Sequence, residues 1–144
     1  MHAIAYPARF APDEDGRILV TFRDFPRGAT DGADRAEAMD EAVDLLESML
    51  AHYVHDGKDI PMPSAPRHND IKISPSAVTA AQVALYTAMR QEKVTARELA
   101  KRLRVPVAEV RRLTDLAKYP PLEAIERALA ALGHRLTVAL EAAE

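Results

Sequence analysis

The hydrophobic pattern at the start of the chain has a period of two residues. Residues 3–10 and 17–23 are both typical of strands, and the second run alternates, with Ile18, Val20 and Phe22 on one face. The turn-forming run 11–16 separates them. A shorter third strand is predicted at 28–31, after a bend at 24–26. The pattern therefore predicts two or three strands joined by short turns.

A helix is predicted to follow these strands, because the pattern changes to a helical period. Asp34, with Glu37 three residues later, is a capping pair, and Gly57 is a stop signal. Between them the inward positions are Met39, Val43, Leu46, Leu50 and Tyr53. The first part of the chain is thus expected to have a β-β-β-α order.

Prolines interrupt this pattern. Four of the ten prolines lie close together, at Pro61, Pro63, Pro66 and Pro75. Such a run predicts an extended linker, with a short strand at 71–73 inside it. We therefore divide the chain into a first domain at 1–66, a linker with a short strand at 67–75, and a second domain at 76–144.

The second domain begins with a helix. Ser74 and Pro75 form a typical helix start, and the apolar stripe of this helix ends near Lys93. The stripe consists of Val78, Ala81, Leu85 and Ala88.

Two short helices with a tight connection are predicted next. The sequence Thr-Ala-Arg-Glu at 95–98 is a capping box, so a helix begins at Ala96 and runs to about Leu103. Residues 104–105 form the connection, and Pro106 opens the next helix. Its inward positions are Val107, Val110 and Leu113. This order is the helix-turn-helix arrangement, whose second helix enters the DNA major groove.

The last predicted elements are a helix and a strand. The helix begins at Pro120–Pro121 and stops at Gly133, with Leu122, Ile125, Leu129 and Leu132 as its stripe. Residues 135–140 alternate like a strand, and a lone strand has unsatisfied edges. We expect it to pair with 71–73 or with a second copy of itself. The second arrangement predicts a homodimer or a higher even oligomer.

Composition agrees with a folded protein of two small units. The 144 residues are 48% hydrophobic and 28% charged, and they include no cysteine, which excludes disulfides and thiolate metal sites. The N-terminal residues lack a signal-peptide pattern. The longest uncharged stretch, 73–89, is too short and polar to span a bilayer. We therefore expect a cytoplasmic protein without a membrane partner.

Charge is distributed unequally between the two halves. Residues 1–66 hold 6 Lys and Arg against 13 Asp and Glu, whereas residues 67–144 hold 13 against 9. The basic excess is concentrated at 90–118, with 9 Lys and Arg against 4 acids, as phosphate contacts require. We expect the two halves to meet different partners.

The predicted DNA-binding side chains lie on or beside the two short helices. They are Arg97, Lys101, Arg104, Ala108, Glu109, Arg111, Arg112 and Lys118. Arg side chains bind guanine edges and Glu accepts from cytosine, so this set includes groups that distinguish bases. The alternative is a helical bundle with a solvated basic face, and Arg104 stands where many such turns have glycine.

The outward face of the first predicted helix is acidic. It carries Glu37, Asp40, Glu41, Asp44 and Glu47, with no Lys or Arg among them. One interpretation is a solvated surface with acids near a helix N-terminus. The other is a surface that faces a basic protein partner.

Catalysis is not expected. Metal-dependent nucleases of the ribonuclease H-like kind also begin with strands and a helix, and their carboxylates hold magnesium. However, strand 3–10 contains no acid, and the acids at 13–15 lie in a turn. His52 and His55 have no third metal ligand nearby in sequence. We therefore predict no catalytic residue, no metal site and no cofactor.

Several motifs in a particular order cover nearly the whole chain. In the first domain they are Tyr6-Pro7, Gly16, Phe22-Arg23-Asp24-Phe25-Pro26, Thr30-Asp31-Gly32, Ala36-Glu37-Ala38, and Gly57 followed by Ile60-Pro61-Met62-Pro63-Ser64. In the second they are Glu98-Leu99-Ala100-Lys101-Arg102, Val105-Pro106-Val107 and Ala130-Ala131-Leu132-Gly133-His134-Arg135-Leu136. In this order and spacing they resemble the HicB antitoxins of bacterial HicA–HicB toxin–antitoxin modules, in the form with a helix-turn-helix tail.

The resemblance implies a fold. It implies an α+β protein in which a small, partial ribonuclease H-like β-β-β-α domain is joined by a Pro-rich linker to a second domain. That second domain is an all-α helix-turn-helix domain with a C-terminal strand. In this family the first domain lacks the catalytic carboxylates of ribonuclease H and covers HicA, a small basic ribonuclease.

The resemblance also implies a function. The chain would neutralise a HicA-like toxin through its acidic first domain and repress its own operon by binding operator DNA. The resemblance itself fixes no toxin-contact residue. Our candidates for that contact are Phe22, Asp24, Phe25, Asp40, Glu41 and Asp44. The alternative is a stand-alone helix-turn-helix transcriptional regulator whose first domain senses a ligand or dimerises.

Overall fold

The computed structural model describes residues 3–142, which fold into one four-stranded antiparallel sheet and five helices. The predicted mixture of α and β structure is therefore confirmed. The strands are β1 (Tyr6–Pro12), β2 (Ile18–Phe22), β3 (Phe25–Gly32) and β4 (Ile71–Ile73). The helices are α1 (Arg35–His55), α2 (Ala77–Glu92), α3 (Ala96–Leu103), α4 (Val107–Leu113) and α5 (Leu122–Ala131).

The sheet has the strand order β3-β2-β1-β4. Asp13 stabilises the turn between β1 and β2, because its carboxylate accepts hydrogen bonds from the backbone N–H groups of Asp15 and Arg17. The predicted start of β3 at residue 28 is wrong. The strand begins at Phe25, directly after a two-residue turn, and β3 is an edge strand, where a proline such as Pro26 is tolerated.

Helix α1 covers one face of the sheet. The predicted cap is confirmed, since the Asp34 carboxylate accepts from the Glu37 N–H at 2.9 Å and the Glu37 carboxylate accepts from the Ala33 N–H. The core beneath the helix is formed mainly by Tyr6, Val20, Phe22, Phe25, Leu46 and Leu50. We call this cluster the first core.

The Pro-rich segment packs against the first half of the chain instead of extending freely. The Tyr6 hydroxyl donates to the Pro61 carbonyl at 2.7 Å, and the Asp24 carboxylate accepts from the backbone and side chain of Ser64. The predicted strand at 71–73 forms, but it pairs with β1 and not with the C-terminal segment. It is therefore the fourth strand of the first-half sheet.

The remaining helices form a second core, built mainly from Leu85, Leu99, Val110, Ile125 and Leu129. The bounds predicted for α3 are confirmed. The predicted start of α2 at Ser74–Pro75 is wrong, because Ser76 caps this helix by accepting from the Thr79 N–H at 3.3 Å.

The C-terminal segment forms no strand in the described part of the chain, so the strand predicted at 135–140 is not present. Gly133, at φ +83°, ends the last helix as predicted. Leu136 packs against the second core, whereas Val138 and Leu140 are 81% and 101% exposed. A strand needs a hydrogen-bonded neighbour, and neither edge strand of the sheet, β3 or β4, pairs with this segment.

Helix α2 contributes to both cores. Its Val83 belongs to the first core, together with the partly buried Leu116 from the segment after α4. Ala81 and Leu85 of the same helix belong to the second core. The two halves of the chain therefore share one helix.

Candidate functional site

The basic residues are presented by α3, α4 and the turn between them. The Thr95 hydroxyl accepts from the Glu98 N–H at 3.1 Å and begins α3. Arg104 ends it with a left-handed backbone at φ +58°, and the Val105 N–H donates to the Ala100 carbonyl at 3.1 Å. Because α4 begins at Val107, the two helices are joined by a turn of only three residues.

All eight residues predicted to bind DNA are exposed: Arg97, Lys101, Arg104, Ala108, Glu109, Arg111, Arg112 and Lys118. Four of them, Ala108, Arg111, Arg112 and Lys118, line one shallow cleft of about 370 Å³ together with Asp115. The inward residues Val110 and Leu113 anchor this helix in the second core. The structure thus brings together four of the five predicted residues that lie on or after α4; Glu109 is not among them.

The cations of this surface are not neutralised within the chain. None of the six Lys and Arg side chains in the predicted set forms an ion pair within residues 3–142. Arg102, on the same helix α3, is paired instead with Glu98 at 2.9 Å. We use the name basic face for Arg97, Lys101, Arg104, Arg111, Arg112 and Lys118. Its guanidinium and ammonium groups are free to bind phosphate oxygens or base edges.

The segment after α4 is held by a residue that the sequence analysis missed. Gln82 of α2 is fully buried, and its side-chain N–H donates to the Asp115 carbonyl at 2.9 Å. The Lys118 N–H donates to the same carbonyl at 2.9 Å. A signal was present in the sequence, because an uncharged run such as 73–89 fits a helix that is buried on more than one side.

The acidic side chains of α1 divide into two groups. Asp40 and Asp44 are exposed and Glu41 is half-buried. Glu47 accepts from the Ser76 N–H at 2.8 Å, and Glu37 belongs to the helix cap. We use the name acidic face for Asp40, Glu41 and Asp44, which is the predicted partner-binding part of this helix.

The other predicted partner contacts lie elsewhere. Phe22 and Phe25 are only 2% and 1% exposed, and the Phe25 ring lies 4.8 Å from that of Tyr6. The prediction that these two rings contact a partner at the surface is therefore wrong. Both large apolar side chains fill the first core. Asp24 is half-buried and is held by Ser64. The structure groups none of the three with the acidic face.

Metal-ligand side chains do not cluster in the described part of the chain, where no group of three or more His, Asp or Glu could hold a metal ion. The Asp13 carboxylate is occupied by its turn, and the His52 ring lies 3.2 Å from Asp56. None of the helices within residues 3–142 is long and apolar enough to cross a membrane.

Comparison with known proteins gives consistent matches. Residues 5–84 match the family of HicB-like antitoxins of bacterial toxin–antitoxin systems. Antitoxin HicB of Escherichia coli K12 is 34% identical over 135 residues, which cover 94% of this chain and 98% of the relative. Antitoxin HicB 1 of Photorhabdus laumondii is 35% identical over 94% of this chain and 86% of its own length. Antitoxin HicB of Pseudomonas fluorescens is 35% identical over 91% and 90%, respectively.

Proposed function

Because the chain belongs to the HicB-like antitoxins of bacterial toxin–antitoxin systems, we propose that it neutralises a small, basic, HicA-like ribonuclease. We also propose that it represses its own operon by binding operator DNA. The observation that carries this proposal is the presence of two oppositely charged surfaces on different halves of the chain. The acidic face lies on α1, and the basic face lies on α3, α4 and the segments that follow them.

The acidic face supports a basic protein partner. A ribonuclease presents positive charge where it binds RNA, and exposed carboxylates such as Asp40 and Asp44 complement that charge. The acid-free strand β1 fits a ribonuclease H-like fold that serves as a binding domain without catalysis. We assign no catalytic role, no metal and no cofactor to this half.

The basic face supports DNA binding. We interpret α3, the turn and α4 as a helix-turn-helix whose second helix enters the major groove. Arg111, Arg112, Ala108 and Glu109 then face base edges, whereas Arg97, Lys101, Arg104 and Lys118 contact phosphates. Such a protein reads a twofold operator as a dimer, and the exposed Val138 and Leu140 fit pairing of segment 135–140 with its counterpart in a second copy.

The decisive experiment is co-purification of the tagged full-length chain with the product of its immediate genomic neighbour, followed by intact mass measurement. The expected result is a small basic protein retained at fixed stoichiometry, with ribonuclease activity that the chain suppresses. The tag alone is the control. The same preparation should shift a duplex that covers the region upstream of its own gene.

Two results would change this proposal. If the full chain retains no neighbour product but still shifts the upstream duplex, it acts as a stand-alone transcriptional regulator, and its first half becomes the part to screen for ligands. If it retains the toxin but shifts no DNA, repression is excluded, and the basic face is only a solvated surface.

A further inference from the structure

We propose that Gln82 is a positioning residue for the basic face. It lies on α2, outside that face, and its side-chain amide fixes the turn that carries Asp115 and Lys118. This inference rests on the proposed DNA binding of α3 and α4. It adds a residue that contacts no DNA itself but determines how well the DNA contacts are placed.

The geometry of the turn supports this role. The Asp115 carbonyl accepts from the side-chain N–H of Gln82 and from the Lys118 N–H, each at 2.9 Å. The Asp115 carboxylate accepts from the Ala117 N–H at 3.0 Å. Asp115 is thus the centre of the turn, and Gln82 is its hydrogen-bonded connection to a buried helix.

Helix α4 depends on such support. It has seven residues, and Pro106 at its N-terminal end provides no side-chain cap. Short helices are marginal on their own, so their orientation is set by tertiary contacts. Val110 and Leu113 anchor α4 itself in the second core. The segment that follows α4 is held by Gln82 and by Leu116, which packs against the first core.

The second polar atom of Gln82 makes the proposal testable. Its side-chain oxygen is buried and has no hydrogen-bond partner within residues 3–142. A buried acceptor without a partner is costly, so Gln is not the residue that packing alone would favour at this position. Replacing it with Met, which is unbranched and similar in size, removes that cost together with the hydrogen bond to Asp115.

The test compares DNA binding and stability in Gln82→Met. With a duplex from upstream of the chain's own gene, we expect about three- to tenfold weaker binding. The melting temperature should stay within a few degrees of the parent, because the lost hydrogen bond is offset by loss of the orphaned oxygen. Tyr86→Phe is the matched control, since it removes a hydrogen bond from the same helix to Lys58, away from the basic face.

A double-mutant cycle identifies the route of the effect. In a Lys118→Ala background, Gln82→Met should weaken DNA binding by a smaller factor than in the parent, because one of the side chains that it positions is already absent. In an Arg97→Ala background the full effect should persist. If Gln82→Met does not fold, Gln82→Leu takes its place in the same cycle.

The outcomes separate this proposal from the proposed function. If the parent chain shifts the upstream duplex and Gln82→Met shifts it equally well, positioning by Gln82 is disproved and DNA binding stands. A joint loss of stability and binding, without coupling to Lys118, would show a purely structural role and also disprove it. If the parent chain binds no DNA, the proposed operator binding and the positioning role of Gln82 fail together.

Discussion

The two halves of the molecule use their charged residues differently. In the first half, five acids stabilise the fold by capping, closing turns or fixing loops: Asp13, Asp24, Asp34, Glu37 and Glu47. In the second half, the six cations of the basic face have no ion pair within the described residues. A count of charges therefore overstates how many acids of the first half are available to a partner. In the second half, the same count agrees with the unpaired cations of the basic face.

The halves also differ in how they are held together. The first half depends on strands that are distant in sequence, such as β1 with β4, whereas the second half is a series of helices, of which α2 and α3 begin with a side-chain cap. Helix α2 belongs to both. A fragment that ends at residue 66 would lose β4, so experiments on the acidic face require the full chain.

The largest effect is expected from a substitution that destabilises the first half alone. A Cβ added at Gly32 would lie 2.3 Å from the backbone nitrogen of Ala38, which cannot move without shifting the start of α1. We expect Gly32→Ala to lower the free energy of unfolding by about 3 kcal/mol, measured by denaturant titration. Toxin binding should be affected more than DNA binding.

Gly28→Ala is the matched control on the same strand. Its new Cβ would meet the sulfur of Met49 at 2.6 Å, and this flexible side chain can move away. The expected cost is about 1 kcal/mol. Equal losses in the two variants would show that the start of α1 is not the rigid part of this half.

Removing cations from the basic face should affect only the second half's function. We expect Arg111→Ala and Arg112→Ala to weaken operator binding by about 1–3 kcal/mol for whichever residue makes a specific base contact, measured by titration of the labelled upstream duplex. Arg127→Ala removes the same charge from α5 and should have little effect. If the variant that combines Arg111→Ala and Arg112→Ala also failed to neutralise the toxin, the two halves would not have separate functions.

Reversing charge on the acidic face should have the opposite selectivity. Asp40→Lys with Asp44→Lys should slow association with the toxin by about tenfold at low salt, and by less at high salt, because the effect acts through steering. Stopped-flow mixing measures this rate. Glu123→Lys with Glu126→Lys, on exposed positions of α5, is the control. An unchanged association rate in the Asp40→Lys, Asp44→Lys variant would show that the acidic face is only a solvated surface.

We expect a smaller loss of stability against unfolding in alkaline solution, and it should arise from Tyr6 in the first half. Burial, with a lesser contribution from Asp24, raises the pKa of Tyr6 from 10.0 to about 12. The folded state therefore favours the neutral phenol, so this stabilisation is complete below pH 10 and is lost as the pH rises to about 12. Tyr6→Phe should remove that part of the pH dependence of unfolding. Identical pH profiles for the two proteins would refute the assignment.

Local signals in the sequence predicted much of the second half. The α3 cap, the turn at 104–105 and the Gly133 stop depend on neighbouring residues only, so a capping box or a positive-φ position can be recognised from spacing. The basic face follows from the same logic, because the inward positions of α4 determine which side chains point outward. The eight residues predicted to bind DNA, which include the six of the basic face, are all exposed.

Long-range contacts account for the errors. Phe22 and Phe25 are candidate partner contacts from the sequence, but both are buried, because the burial of a side chain depends on what packs against it. The partner of strand 71–73 and the missing C-terminal strand depend on which edge is available in three dimensions. Gln82 was missed because one apolar stripe was assumed for α2, whereas the helix lies between two cores.

The sequence alone predicted the order of helices and strands as far as α5, the caps of α1 and α3 and the separation of charge between the halves, because these depend on local conformation and composition. The folded structure, in contrast, shows which acids stabilise the fold, which cations have no ion pair within residues 3–142 and which buried amide holds the turn before Lys118. Those properties depend on distances between residues far apart in the chain, such as the 33 positions between Gln82 and Asp115. Spacing along the sequence carries no information about such distances until the chain has folded.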